Sequence, residues 1–298
     1  MEPAAGMAGR TLLERTGLGR STDSAHLLRK VVVASAVVAS SAAATVAGVA
    51  LLFRAEGEMA RKASGDVLGT AGPWADRVYH PSYGQPIRLL LAGDSLAASL
   101  GAANAKTTFG ARVARGLAKH SFHAVDLRTV AVVGSLSSEL EGQLDGLPDG
   151  YVPDIAVLVV GGNDVMQRVP PAESVAALKR AVERLRAQGA EVVVGTCPDL
   201  GMLPAVPQPL RSMGGRASRH LAAAQYKAVL AAGGRPVELG QAVKPLFLAD
   251  PADMFAADHV HPSSLGYRRA ARVMLPAILA AHDQAGGVAG PFSLPAGQ

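Results

Sequence analysis

Four short polar segments contain the residues best suited to chemistry. They hold a hydroxyl nucleophile, an imidazole that can take its proton, a carboxylate that can orient the imidazole, and donors for a developing oxyanion. A serine esterase requires this combination of groups. The segments are Gly93-Asp94-Ser95-Leu96, Gly134-Ser135, Gly161-Gly162-Asn163-Asp164 and Asp258-His259-Val260-His261.

Ser95, Asp258 and His261 are the candidate catalytic residues. Ser95 follows an apolar run, at a predicted strand-to-helix turn where its hydroxyl can project into a cleft. His261 would remove the Ser95 proton as general base and later return it to the leaving alcohol. Asp258, on the same short segment, could bond the other ring nitrogen and fix the tautomer. His259 is the competing base, but its spacing from Asp258 gives it a poorer reach.

Three groups are candidate oxyanion donors: the backbone N–H of Ser95, the backbone N–H of Gly134 and the side-chain amide of Asn163. Gly134 has no side chain, so a ligand can approach its N–H closely. Each segment taken alone also fits a helix cap or a turn, because Ser, Asp, Asn and Gly are common at both. Their occurrence together favours catalysis.

A parallel sheet would bring these segments to one edge. Short apolar runs alternate with segments of helical period, which predicts an α/β fold with a five-stranded parallel sheet. Ligands bind at the carboxyl ends of strands in such sheets, and the polar segments follow strands there. The predicted strands are Ile87–Ala92, Ala124–Val133, Ile155–Val160, Glu191–Thr196 and Arg235–Leu239, and the predicted loops Met202–Met213 and Pro245–Phe255 would wall the pocket.

The segments, in this order, resemble the four conserved blocks of the SGNH/GDSL hydrolases over roughly residues 87 to 281. The resemblance implies a Ser95 nucleophile, an Asp258 and His261 pair, and oxyanion donors from Ser95, Gly134 and Asn163. It also implies a flavodoxin-like three-layer α/β/α fold and hydrolysis of carboxylic esters without a cofactor. The second block departs from the pattern after Gly134. The chain is similar overall to exported actinobacterial members.

An apolar N-terminal segment predicts a membrane anchor. Val31 to Phe53 are 23 residues without a charge, which is long enough to span a bilayer. Five Lys or Arg precede the segment and three follow closely, so the positive-inside rule puts the N-terminus in the cytoplasm and the hydrolase domain outside. A cleaved signal peptide, and hence secretion, is the alternative.

The sequence thus predicts five regions. They are a cytoplasmic segment (1–30), a transmembrane signal anchor (31–53), a connector (54–85), a hydrolase domain (86–282) and a disordered tail (283–298).

Composition narrows the class of function. The net charge is only +5, five of the basic residues lie before residue 31, and only 4% of residues are aromatic, which argues against nucleic-acid binding. A single cysteine, Cys197, excludes an intramolecular disulfide, and the residues around Asp258 offer too few ligands for a metal.

The predicted function is a serine esterase for short to medium acyl chains, acting on small-molecule, lipid or sugar esters. The alternatives are an acyltransferase or deacylase that uses the same residues on sugar or lipid esters, and a non-catalytic module that binds a glycan or an anion.

Overall fold

The computed structural model describes residues 68–286. The predicted anchor at 31–53, the segment before it, residues 54–67 of the predicted connector and residues 287–298 of the predicted tail lie outside this range. Among residues 68–286, no helix is both long and apolar enough to cross a bilayer.

A six-stranded sheet forms the centre of the fold, in the order β1-β3-β2-β4-β5-β6. Five of its strands are parallel, and their order, β3-β2-β4-β5-β6, is that of a flavodoxin-like sheet. The strands are β1 (Arg77–Tyr79), β2 (Pro86–Gly93), β3 (Ala124–Thr129), β4 (Ile155–Val159), β5 (Glu191–Gly195) and β6 (Arg235–Val237).

The prediction of five strands was wrong by one strand. β1 lies within the predicted connector and pairs antiparallel with β3 at the sheet edge, with Arg77 opposite Leu127 and Tyr79 opposite Val125. β1 has three residues, of which only Tyr79 is buried. A strand this short and exposed has no alternating apolar pattern from which to predict it.

Helices cover both faces of the sheet. The helices are α1 (Phe109–Ser121), α2 (Leu140–Asp145), α3 (Gly162–Gln167), α4 (Pro171–Ala187), α5 (Leu210–Ala231), α6 (Leu239–Ala249), α7 (Pro251–Met254) and α8 (Ser264–Gly286). Since successive residues of a strand point to opposite faces, Leu89 and Leu91 pack with α1, α6 and α8, while Leu90 and Ala92 pack with α2, α4 and α5. The fold therefore has three layers.

Helices α6 and α7 occupy most of the segment Pro245–Phe255, which the sequence predicted as a loop. Pro245 lies inside α6, where a proline removes a backbone donor and normally signals the end of a helix. Burial of Leu239, Val243 and Phe247 along one side of α6 stabilises the helix in spite of it. One wall of the site is therefore helical.

Candidate active site

Ser95 lies in a tight turn at the carboxyl end of β2. Gly93, the last residue of β2, has φ +133°, and a Cβ there would lie 2.0 Å from the Val159 carbonyl oxygen, so only glycine fits. The Leu100 N–H then donates to the Ser95 carbonyl at 3.0 Å. The predicted helix after Ser95 is a series of turns, and α1 begins only at Phe109. Ser95 is nearly buried in these turns.

His261 and Asp258 share the loop between α7 and α8. The carboxylate of Asp258 contacts this loop through both of its oxygens. Oδ1 accepts from the N–H groups of Val260 and His261, both at 3.0 Å, and Oδ2 lies 2.6 Å from His261 Nδ1. His261 Nε2 lies 2.9 Å from Ser95 Oγ, although the two residues are 166 positions apart in the chain. The three predicted residues therefore form one hydrogen-bonded chain.

His259, the competing base, is exposed and has a left-handed backbone with φ 55°. The structure places His261, not His259, against Ser95.

Gly134 and Asn163 lie just after the two strands beside β2 and line the same cavity as Ser95. Gly134 has φ +86°, with open space where a Cβ would be. Asn163 is in the first turn of α3, and its Nδ2 donates to the Ser135 carbonyl at 3.0 Å. An asparagine amide has two N–H donors, so one orients the side chain and the second is left for a ligand. Within residues 68–286, the backbone N–H groups of Ser95 and Gly134 donate no hydrogen bond to another protein group.

These residues line one cavity of about 320 Å³. Ser95, Gly134, Asn163 and His261 form its polar side. The other walls are mainly apolar and come from the short 3₁₀ turn after β5, from α6 and from α8: Leu200, Met202, Leu203, Leu239, Val243, Phe247 and Ala270. The cavity thus combines a nucleophilic end with an apolar space.

Comparison with known protein families gives a match over most of the parallel sheet and its helices. The model of the "GDSL-like Lipase/Acylhydrolase family" matches residues 91–269, more than half of the chain. The chain belongs to this family. The resemblance that the four segments predicted is thereby confirmed.

A known GDSL-like esterase is similar in sequence to this chain. The GDSL-like esterase Rv1075c of Mycobacterium tuberculosis is 44% identical over 193 residues, which cover 64% of this chain and 62% of that protein. The match thus spans less than two thirds of the relative's length.

Solved structures share the fold at lower identity. TesA has a TM-score of 0.54 at 20% identity, covering 65% of this chain and 99% of that chain. A catalytic mutant of Axe2, an acetylxylan esterase from Geobacillus stearothermophilus, has a TM-score of 0.52 at 18% identity, covering 65% and 95%.

Asp94, of the GDSL segment, is a buried carboxyl group beside the nucleophile. Its Oδ1 accepts from the Leu96 N–H at 2.9 Å. Burial raises the pKa of Asp94 from 3.8 to about 6, and nearby Asp164 adds to this, while the Leu96 N–H and His261 oppose it. Between about pH 4 and pH 6, the Asp94 carboxyl group therefore keeps its proton in the native state, whereas the same group in the unfolded chain has lost it.

We expect Asp94→Asn to gain stability relative to the wild type as pH rises. In the wild type, ionisation of the buried Asp94 carboxyl group lowers the stability of the native state as pH rises. The asparagine amide does not ionise, so the variant avoids this loss. The difference in free energy of unfolding between variant and wild type should change by about 2 kcal/mol from pH 4 to pH 7, which is most of the effect of the whole shift at about 1.4 kcal/mol per pKa unit. Urea denaturation at both pH values measures it, with the exposed Asp149→Asn as control. An unchanged difference would contradict the buried proton.

Three buried polar residues that support the site had no role predicted from the sequence. Tyr267 of α8 donates to the Leu100 carbonyl at 2.7 Å and so fixes the turn after Ser95. Asp164 accepts from the Ser137 N–H and hydroxyl, each at 3.1 Å to Oδ2, and joins two of the loops. Gln143 of α2 bonds the end of β2.

The part of the chain that the structure describes contains no group of three His, Cys, Asp or Glu side chains arranged to hold a metal ion.

Proposed function

We propose that this GDSL-family protein is a serine esterase that forms an acyl-enzyme on Ser95. The observation that carries the proposal is the distance of 2.9 Å between His261 Nε2 and Ser95 Oγ, inside a cavity large enough for a small ester. A nucleophile within hydrogen-bonding reach of a base, with the base oriented by a third group, is the arrangement that activates a hydroxyl.

In the acylation step, Ser95 Oγ attacks the ester carbonyl carbon while His261 Nε2 takes the hydroxyl proton. Asp258 accepts from Nδ1, so Nε2 is the nitrogen left without a proton, and the carboxylate stabilises the imidazolium that forms. The imidazolium then gives its proton to the leaving alcohol as the bond from carbon to the alcohol oxygen breaks. The acyl group stays on Ser95.

The tetrahedral intermediate places a negative oxygen between three donors. The backbone N–H groups of Ser95 and Gly134 and the second N–H of Asn163 are the groups that would stabilise it. They are held by the fold before substrate arrives, so no reorganisation is needed as the charge develops. Water then attacks the acyl-enzyme with His261 again as base, which releases the acid and restores Ser95.

The cavity supports a preference for short to medium acyl chains. Its volume of about 320 Å³ lies at the small end of the range of about 300 to 1,000 Å³ for ligand sites. Its apolar walls would hold the alkyl part of the acyl group, and each buried methylene contributes about 0.8 kcal/mol.

A series of nitrophenyl esters tests this preference. We expect kcat/KM to rise up to about fourfold with each added methylene, the equivalent of about 0.8 kcal/mol, until the cavity is filled, and then to fall. Val243→Phe adds bulk on the apolar side and should lower the rates of the longer esters while leaving the acetyl ester nearly unchanged. A wild type that prefers long chains, or a variant that slows all esters equally, would contradict the assignment of this space to the acyl group.

A fluorophosphonate probe tests the function itself. Such a probe phosphonylates an activated serine, so we expect stoichiometric labelling of the native protein, located at Ser95 by tandem mass spectrometry. Heat-unfolded protein is the control and should stay unlabelled. A folded wild type that the probe does not label would instead favour a non-catalytic binding module.

A further inference from the structure

The side chain of Gln143 links the loops that carry the nucleophile and the proposed oxyanion donors. Gln143 lies on α2 and is buried, with 8% of its surface exposed. Its Oε1 accepts from the Gly93 N–H at 2.8 Å, and its Nε2 donates to the Gly93 carbonyl at 2.8 Å and to Ser135 Oγ at 3.0 Å. The amide thus uses its acceptor and both of its donors.

The contacts of Gln143 with Gly93 complete the hydrogen bonding at the end of β2. The register between β2 and β3 ends with Leu91 opposite Thr129, two residues before Gly93. Beyond this register the Val130 N–H still donates to the Leu91 carbonyl at 2.8 Å, and the Val132 N–H donates to the Gly93 carbonyl at 3.1 Å. The Gly93 N–H, however, donates to Gln143 Oε1, and Gln143 Nε2 is a second donor to the Gly93 carbonyl. A buried N–H left without this acceptor would cost about 1 to 3 kcal/mol. Gln143 therefore fixes the residue two positions before Ser95.

The contact with Ser135 extends the link to the other two donors. Ser135 follows Gly134 and is buried, with 4% exposed. Its hydroxyl accepts from Gln143, and its carbonyl accepts from Asn163 Nδ2 at 3.0 Å. One side chain thus connects the backbone before Ser95, the backbone after Gly134 and the amide of Asn163.

We propose that Gln143 is a positioning residue for the esterase reaction: its amide sets the spacing of the Ser95, Gly134 and Asn163 donors around the oxyanion. The inference depends on the proposed function. Gln143 touches none of the reacting atoms and acts through Gly93 and Ser135. Its role is to keep three donors, carried by three different loops, aimed at one point.

Gln143→Met tests the proposal, because methionine is of similar length and lacks the amide. We expect kcat to fall about 10- to 100-fold with KM nearly unchanged, since loss of one complete oxyanion donor costs about 100- to 1,000-fold and misplacement costs less. Gln143→Glu keeps the acceptor for the Gly93 N–H but, when ionised, loses both donors, so it should be impaired as well. Ser135→Ala removes one of the three contacts and should have a smaller effect in the same direction.

Leu144→Ala is the matched control for a structural role. Leu144 is the next residue of α2 and is buried in the core, with 4% exposed. Its truncation should lower the melting temperature at least as much as Gln143→Met, yet leave kcat close to that of the wild type. If the two variants lose activity in proportion to their loss of stability, Gln143 is structural only and the proposal is overturned.

A double-mutant cycle with Asn163→Ala gives a second readout. If Gln143 acts through the donors, its substitution should cost less in the Asn163→Ala background than in the wild type, because part of its effect is already lost. Independent, multiplicative effects would contradict the proposal. Failure of this proposal can be told apart from failure of the proposed function. If the fluorophosphonate probe does not label the folded wild type, the esterase function itself is wrong, whatever the Gln143 variants do.

Discussion

Replacement of Ser95 by alanine should lower kcat for ester hydrolysis by about 10⁴-fold or more, close to the limit of detection. The variant loses the oxygen that lies 2.9 Å from His261 Nε2 and with it any acyl-enzyme. The donors for the oxyanion stay in place, and such donors alone retain some catalysis over the reaction in water. Steady-state hydrolysis of a nitrophenyl ester measures the loss.

Ser121→Ala is the control for Ser95→Ala. Ser121 is in the last turn of α1, where its hydroxyl donates to the Leu117 carbonyl at 2.9 Å. This variant should retain wild-type activity. Substantial hydrolysis by a folded Ser95→Ala protein would show that another group performs the reaction.

Asp258→Asn should lower kcat by about 10⁴-fold while leaving the fold intact. The asparagine oxygen can still accept from the N–H groups of Val260 and His261, so the loop keeps its shape. Its NH₂ group, however, would face His261 Nδ1 and favour the tautomer in which Nδ1 accepts and Nε2 carries the proton. A protonated Nε2 donates to Ser95 Oγ and is unable to take its proton.

The measurement for Asp258→Asn is kcat together with the circular dichroism spectrum and the melting temperature. Asp253→Asn, an exposed change on α7, is the control and should behave as the wild type. Rates for Asp258→Asn within a few fold of the wild type would remove the carboxylate from the mechanism.

Much of the fold could be predicted because the strands are buried on both faces. The runs that begin at Ile87 and Ile155 are almost wholly apolar, as a central parallel strand covered by two helical layers requires. The five parallel strands were predicted to within a few residues, except that Ala124–Val133 ends at Thr129 as a strand. Beyond this point the N–H groups of Val130 and Val132 still donate to β2, but the Gly93 N–H finds its acceptor on a side chain of α2, which no local sequence pattern indicates.

The site could be predicted at the level of residue types and their order along the chain. Ser95, Asp258 and His261 follow from the chemistry each can do and from the edge of the sheet that each approaches. Gln143 and Tyr267 were not predictable in this way, because their partners are backbone groups at large separations in sequence. The helical wall at α6 was missed because Pro245 normally interrupts a helix. The membrane anchor at 31–53 and the outward orientation stay predictions.

The loop that holds Asp258 and His261 is closed upon itself. Phe255 and Pro262 form a bridge across its base, and the Ala256 N–H donates to the His261 carbonyl at 2.7 Å. Asp258 and His261 therefore belong to one local unit. Ser95 comes within reach of this unit only when α8 docks against the sheet. Hydrolytic activity should therefore require complete docking of α8. On refolding, activity should return later than secondary structure. A partial opening that moves this loop away from Ser95 should abolish hydrolysis while most helices and strands remain formed.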